Sequence, residues 1–247
     1  MTDLFDHARV LFVHAHPDDE TLATGGLIAE LVARGVEVAV LTATRGEQGE
    51  VVDGPLSHLA GTPELTEHRE GEVRAACATL GVRHHAFLGD PPARAADARP
   101  RRYTDSGMRW LDASETVAGP GDAAGPASLT SADPAEVVSD IASYARAIGA
   151  DAIVSYDSHG GYGHPDHVAL HEPSRAAASE VGVPFREVAS EPDDDALATP
   201  HHLTLLQDAL AHYASQLTVD GTDVVHVGGQ RQPIQTRFTV RPGADPG

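Results

Sequence analysis

Two short apolar stretches each run straight into a dense cluster of ionisable residues. Arg9-Val10-Leu11-Phe12-Val13-His14-Ala15 leads into His16-Pro17-Asp18-Asp19-Glu20, and Ala152–Tyr156 leads into the segment from Asp157 to His167. An apolar run of this length suits a strand buried on both faces, the pattern of a parallel sheet. After the first run, Leu22, Leu27, Ile28, Leu31 and Val32 fall at helical spacing from Thr21 to Arg34, Gly35 stops the helix, and a second apolar run covers residues 36–43. Gly25 and Gly26 inside that helix either weaken it or allow close packing on the sheet. Strand, helix and strand over about 35 residues predict a right-handed βαβ crossover.

The alternation continues. The pattern predicts a helix over 64–80 closed by Gly81, a strand over 82–88, and a helix over 134–148 with Asp133 as N-cap and Pro134 in its first turn. A strand over 152–156 follows, then a helix over 164–181 interrupted or bent near Pro173, a helix over 201–216, and strands over 224–227 and 234–240. Residues 46–63 read as a loop, 187–199 as an exposed acidic connection and 241–247 as a loose tail. Residues 89–134 form an irregular stretch long enough to be functional or partly disordered. The expected fold is α/β, with a Rossmann-like, mostly parallel sheet, flanking helices and a small C-terminal addition. One domain is expected over 1–247, with a catalytic core at 1–171 and a C-terminal part at 172–247.

Composition removes several function classes. A single Cys excludes a disulfide framework and a Cys-rich zinc ribbon, and the complete absence of Lys excludes Schiff-base and P-loop lysine chemistry. A formal charge of −20 argues against nucleic acid or an anionic membrane as partner. No apolar run reaches the roughly 18–20 residues of a membrane span. Met1 to Arg9 lacks a basic leader, so no signal peptide is expected and a cytoplasmic location follows. A homo-oligomer is compatible with this composition.

In an open parallel sheet, ligands bind beyond the carboxyl ends of the strands. Both ionisable clusters fall there, and His-Pro-Asp occurs in each, as His16-Pro17-Asp18 and His164-Pro165-Asp166. Acidic capping of a helix explains Asp18 to Glu20 but leaves His16 and Pro17 unexplained. A solvent-exposed loop explains one lone His, not two facing clusters. Two imidazoles, one carboxylate and an open position for water suit a catalytic zinc, with a nearby carboxylate to take a proton and an imidazole to donate one. Adjacent residues at a helix start point about 100° apart, so one of Asp18 and Asp19 can face a metal while the other flanks it. Spacing alone leaves open which does which.

AHPDDE (Ala15 to Glu20) and GYGHPDHV (Gly161 to Val168) resemble the LmbE/PIG-L family of zinc-dependent N-acetylglucosaminyl deacetylases, and most of all its mycothiol-pathway branch, which acts on N-acetylglucosaminyl-inositol. Further matching stretches are Gly46–Val51, Arg69–Glu72, Leu80–Val82, Leu88–Asp90 and Asp105–Met108. The resemblance covers roughly residues 9–171 and is thin beyond, at Ala209–His212 and Ser215-Gln216. It implies that His16, Asp19 and His167 bind Zn²⁺, or Fe²⁺ in its place. It makes Asp18 the general base. His164 assists by protonating the departing amine or steadying the oxyanion, Asp166 orients a histidine, and Tyr162 polarises the amide carbonyl or stabilises its tetrahedral intermediate. Arg69 and Asp105 hold sugar hydroxyls, and Glu50 lies beside the pocket. The implied activity is hydrolysis of an N-acetylglucosaminide to free amine and acetate, with a small acetamido sugar as partner.

Three departures bear on specificity. His159 stands where the branch usually carries Asn, either as a bystander or as an extra acid. The segment between His171 and His201 is much shorter than in that enzyme, which puts the inositol preference in doubt and brings in other acetamido sugars, such as a bacillithiol precursor or a natural-product glycoside. No Lys follows the first motif, which argues against mycothiol-conjugate amidase activity. Outside this class, His16-x-Asp18 with a distant His would also fit a non-haem iron oxygenase, which sits on a jelly roll. A non-catalytic zinc- or sugar-binding module is the other reading.

Overall fold

The computed structural model describes residues 2–112 and 117–243. In chain order the first half comprises β1 (Arg9–His14), α1 (Asp19–Leu22), α2 (Gly25–Ala33), β2 (Glu37–Thr42), α3 (Pro63–Leu80), β3 (His84–Phe87), β4 (Arg109–Trp110) and β5 (Ala118–Gly119). The second half comprises α4 (Pro134–Ile148), β6 (Ala152–Tyr156), α5 (Pro165–Val181), β7 (Phe185–Val188), β8 (Leu197–Ala198), α6 (Leu203–Leu210), β9 (Leu217–Asp220), β10 (Asp223–His226), β11 (Arg231–Pro233), β12 (Arg237–Phe238) and β13 (Val240–Pro242).

The main sheet has the order β13-β7-β6-β1-β2-β3, parallel throughout except for β13, which runs antiparallel to β7. The chain leaves β1 toward β2 and β3 on one side and returns to β6 and β7 on the other. The strand order therefore reverses between β1 and β6, and a crevice opens at their carboxyl ends. Successive β1 side chains point to opposite faces. Val10 and Phe12 pack with α2, α3 and α6, whereas Leu11 and Val13 pack with α4 and α5. Both faces are covered, which explains why β1 and β6 read as unbroken apolar runs.

Several elements differ from expectation. The first helix is two pieces, because Ala23 and Thr24 interrupt it and α2 begins at Gly25. Its glycines serve close packing, though not against the sheet. A Cβ on Gly25 would lie 2.9 Å from Leu206 Cδ2, and one on Gly26 would lie 2.5 Å from Thr199 Oγ1 and 2.7 Å from the Phe238 ring. Pro173 is buried within α5, which continues through it. Residues 187–199 are not simply a connection, because β7 extends to Val188 and β8 pairs with β12. The last helix ends at Leu210, and β9 precedes β10 in a three-stranded sheet with β11. Arg241 and Pro242 of the expected tail lie in β13, and residues 244–247 fall outside the described residues.

The long segment after β3 is irregular but anchored. Asp140, fully buried on α4, accepts hydrogen bonds from Arg94, the Ala95 amide and the Tyr103 hydroxyl. A bridge between Thr104 and Ser128 closes the segment on itself and brings Asp105 and Ser106 over the crevice.

Candidate metal centre and active site

The turn after β1 delivers His16, Asp18 and Asp19, and α5 delivers His164, Asp166 and His167. Three atoms converge between them. His16 Nδ1 lies 3.3 Å from Asp19 Oδ2 and 3.3 Å from His167 Nε2, and His167 Nε2 lies 3.2 Å from Asp19 Oδ2. A tetrahedron with edges of that length has its centre about 2.0 Å from each corner, which matches zinc bonds to His nitrogen and carboxylate oxygen.

The outer nitrogens show why these atoms want a cation. His16 Nε2 faces Asp166 Oδ2 at 3.2 Å and Asp105 Oδ1 at 3.5 Å. His167 Nδ1 faces the Gly160 carbonyl at 3.2 Å, an approach that a Cβ on Gly160 would block by lying 2.8 Å from the Val168 nitrogen. A carboxylate or carbonyl partner holds the ring proton on its own side. The opposite nitrogen of each neutral imidazole then offers a lone pair to the centre. Three acceptors facing one another repel unless a proton or a metal ion sits among them. Burial disfavours a charged His16, but the carboxylates of Asp105, Asp166 and Asp19 outweigh it and raise its pKa well above the ordinary value. Burial likewise works against the Asp19 carboxylate, and the two imidazoles outweigh it, holding Asp19 well below the usual range. The residues fit a divalent metal.

Each member is held in place. Asp166 is fully buried and accepts from the Ser106 amide (2.9 Å) and hydroxyl (2.5 Å). Asp19 Oδ2 accepts from the His16 amide and from the Tyr156 hydroxyl, both at 2.8 Å. Asp105 accepts from the Gly107 and Gln48 amides.

Asp18 differs from its neighbours. Its carboxylate has no hydrogen-bond partner among the described residues, and it lines the cavity. Burial, then the adjacent Asp19 charge, push its pKa well up. Its backbone has φ 114°, a region that non-glycine residues rarely enter. The Asp18 carbonyl accepts from the Thr21 and Leu22 amides, and its amide donates to Glu20 Oε2 at 3.3 Å.

His164 is the N-cap of α5. Its Nδ1 accepts from the Asp166 amide at 3.2 Å, which places the proton of the neutral ring on Nε2. Burial, then the neighbouring His16 and His167, lower its pKa to about 4. Tyr162 stands at the mouth, 64% exposed, its ring centroid 5.3 Å from that of His167. Arg69 is buried, and it donates to the carbonyls of Gly46, Gly49 and Glu50 and to Ser215 Oγ, so it pins the 46–50 loop that forms one cavity wall. Glu50 is exposed on that wall. His159 is exposed and does not line the cavity.

Sequence reasoning missed three supporting residues. Tyr156 stacks on His167 at 4.2 Å, with 6° between the rings, and its hydroxyl also accepts from the Ala15 amide at 2.8 Å. Glu20 is fully buried and accepts from the hydroxyls of Thr21 and Tyr213; burial pushes its pKa up to about 7. Tyr213 belongs to the C-terminal part. The available signal was a polar tip on an otherwise apolar strand end at Tyr156, and at Glu20 a third carboxylate directly after the Asp18-Asp19 pair.

The fold and site together define an α/β protein with a crevice at the switch point of a parallel sheet whose residues could hold a metal ion. The chain belongs to the family described as GlcNAc-PI de-N-acetylase, PIG-L, whose model matches residues 11–178. It is similar to the 1D-myo-inositol 2-acetamido-2-deoxy-alpha-D-glucopyranoside deacetylase of Kineococcus radiotolerans, with 47% identity over 165 residues, 66% of this chain and 43% of that protein. The protein of the same description from Actinosynnema mirum is 39% identical over 193 residues, 76% of this chain and 62% of that one. The match thus spans about half the length of these relatives. Among solved structures, the N,N'-diacetylchitobiose deacetylase of Pyrococcus horikoshii superposes with a TM-score of 0.59 at 20% identity, covering 85% of this chain and 71% of the other. The A40926 pseudoaglycone deacetylase gives 0.57 at 22% identity, covering 97% and 99%. The parallel sheet that they share with this chain is not a jelly roll, which removes the basis for an iron-oxygenase reading. Among the described residues, no helix is long and apolar enough to cross a membrane.

Proposed function

We propose that this chain hydrolyses the acetamide of an N-acetylglucosaminide to acetate and a free amino sugar, with N-acetylglucosaminyl-inositol as the reference substrate. The observation that carries the reading is the triangle of His16, Asp19 and His167 acceptor atoms, with the unpartnered Asp18 carboxylate beside it in one cavity. Zn²⁺, or Fe²⁺ in its place, held by these three residues would supply an acidified water and polarise the acetamide carbonyl. Asp18 takes the proton of the attacking water, since its carboxylate has no competing donor and its raised pKa suits a base. His164 offers its Nε2–H to the carbonyl oxygen as negative charge develops there. Because its Nδ1 is engaged by the Asp166 amide, His164 steadies the oxyanion as a neutral donor. Protonating the amine from this ring would require breaking the cap bond, so Asp18 returns the proton it took from water to the departing nitrogen as the C–N bond breaks. Asp166 holds His16 in its tautomer. Tyr162 closes over the carbonyl, while Arg69, Asp105 and Glu50 shape the wall that takes the sugar hydroxyls.

A second substrate reading rests on the cavity mouth. The cavity is about 1000 Å³, at the top of the range of about 300–1000 Å³ for drug-sized ligands, so it has room beyond one sugar ring. Trp110, Tyr162 and Val227 line it and are at least 36% exposed, and Leu111 and Val117 extend the Trp110 hairpin. Exposed apolar side chains concentrated at one mouth favour a larger, less polar aglycone than inositol. Residues 1–247 act as one catalytic unit in a cytoplasmic setting on this reading.

The test is acetate and amine release by zinc-loaded protein from N-acetylglucosaminyl-inositol and from N-acetylglucosaminides with alkyl and aryl aglycones. Stoichiometric release from at least one supports the assignment, and the ranking selects the aglycone. A folded, metal-loaded protein inert toward the whole panel would overturn it and leave a non-catalytic binding module.

A further inference from the structure

A second constellation of metal-ligating side chains lies apart from the crevice, where α2 meets the turn leading into α6. His201 Nε2 is 2.9 Å and His202 Nε2 is 3.0 Å from the same Glu30 oxygen, Oε2. The two rings lie 4.2 Å apart and tilted by 45°, and both Nε2 atoms face that one oxygen. Arg34 holds the other oxygen, Oε1, at 2.7–2.8 Å, which fixes the carboxylate plane and leaves Oε2 to the imidazoles. Glu30 is buried, His202 is partly buried and His201 is largely exposed, an arrangement with a route to solvent on one side.

The backbone around the group is set independently of these side chains. Gly26 is one turn ahead of Glu30 on the same face of α2, and there the helix touches Thr199 and Phe238 too closely for any Cβ. Thr199 is fully buried and its amide donates to the Thr236 carbonyl at 2.7 Å. Pro200 then starts the short 3-10 turn that carries both histidines. Glu30 and the two imidazoles are therefore presented from two rigid pieces of backbone locked together next to them. Exposed carboxylates often occur without a metal, but two imidazoles and one carboxylate with water access form the ligand set of a first-row transition ion.

We propose that Glu30, His201 and His202 form a second metal site, for a divalent transition ion of the Zn²⁺ class, that fastens the C-terminal elements to α2. Occupancy ties the turn ahead of α6 to the core helix. The segment following α6 supplies Tyr213 to Glu20 and the Gln216 side chain to the Pro17 carbonyl. The ion thus braces the layer behind the catalytic turn without touching substrate.

The experiment is zinc content by mass spectrometry after equilibrium dialysis of untagged, chelator-stripped full chain. It uses the parent, H201A, H201A/H202A, H16A/H167A and the quadruple variant, with circular dichroism to verify folding. The parent should hold about two zinc ions, each double variant about one and the quadruple variant about none. H201A replaces only the exposed ring, and it should weaken the second site at least tenfold with the fold intact. Zinc should also raise the Tm of H16A/H167A by roughly 5 °C or more, a shift lost in the quadruple variant. If H16A/H167A binds no zinc, or if H201A leaves both stoichiometry and affinity unchanged, the second site does not exist. The one zinc ion kept by H201A/H202A and lost in the quadruple variant tests the catalytic centre, so the two proposals fail separately.

Discussion

Replacing Tyr156 by Phe removes one oxygen atom and nothing else, which makes it a clean probe of how the centre is built. The ring stack on His167 at 4.2 Å stays. Two hydrogen bonds go: the one donated to Asp19 Oδ2 at 2.8 Å and the one accepted from the Ala15 amide at 2.8 Å. A buried amide left without a partner costs about 1–3 kcal/mol, and a hydrogen bond to a charged group is worth about 1.5–3 kcal/mol. Because one hydroxyl serves both, the two are not additive, and a loss of about 2–4 kcal/mol is expected in the metal-free protein. Asp19 Oδ2 then keeps the bond from the His16 amide and its contacts with the two imidazoles. Losing a partner that orients a ligand typically lowers metal affinity about 10–100-fold, or about 1.4–2.7 kcal/mol. Urea unfolding of chelator-stripped protein measures the first effect, and zinc competition against a chromophoric chelator measures the second. A variant within about 0.5 kcal/mol of the parent in stability and unchanged in zinc affinity would show that the Tyr156 hydroxyl does not organise the centre.

Asp18→Asn keeps the shape of a side chain that makes no hydrogen bond among the described residues; kcat should fall by about 10²–10⁴ with zinc content retained, and undiminished turnover would remove Asp18 as the base. Gly26→Ala should destabilise by about 1–3 kcal/mol, because its Cβ meets Thr199 and Phe238 at 2.5–2.7 Å; a urea midpoint equal to the parent's contradicts the packing. His85 is partly buried on β3, where burial, then the charge of Arg74, lower its pKa to about 4 from 6.5. Its neutral form is favoured in the folded state, so its contribution is complete above pH 6.5 and is lost as pH falls from there to about 4. His85→Gln, which can still pair with Thr42, should therefore gain on the parent by about 1–3 kcal/mol between pH 7.5 and 4.5; parallel stability curves refute this.

Much of the fold was written in the apolar runs. Strands buried on both faces must be continuous, so β1, β2 and β6 stood out, and the charged clusters at their ends marked the crevice. Edge elements left no such signature. β7 is four residues long, Phe-Arg-Glu-Val, with its charged pair at the partly exposed centre, and it gains its second neighbour only from β13 at the far end of the chain. Within the site, His16, Asp19 and His167 were legible as residue types beside strand ends. Tyr156 was not, since a tyrosine closing an apolar strand reads as core until its hydroxyl is seen on Asp19. Arg69 was legible by type only. Its geometry shows that at least three of its donors serve the carbonyls of the 46–50 loop, a use that no local pattern encodes.

The C-terminal elements matter to the chemistry although the family match ends at residue 178. A non-glycine residue held in a sparsely populated backbone region costs on the order of 1–3 kcal/mol and persists only where its surroundings over-determine it. At Asp18 three bonds do so: two helix amides reach its carbonyl, and its own amide reaches Glu20. Glu20 is fully buried, and without donors it would be driven to protonate or to turn away. Its donors are Thr21 beside it and Tyr213 from beyond α6, while Gln216 holds the Pro17 carbonyl at 2.9 Å. Ser215, between them, closes a buried network with Glu72 and Arg69 that supports the opposite wall. The bend that turns the Asp18 carboxylate into the cavity is thus stabilised from residues 213–216. The Asp18 turn and its brace come from distant parts of the chain, so the C-terminal part shapes the proposed base as well as the cavity mouth.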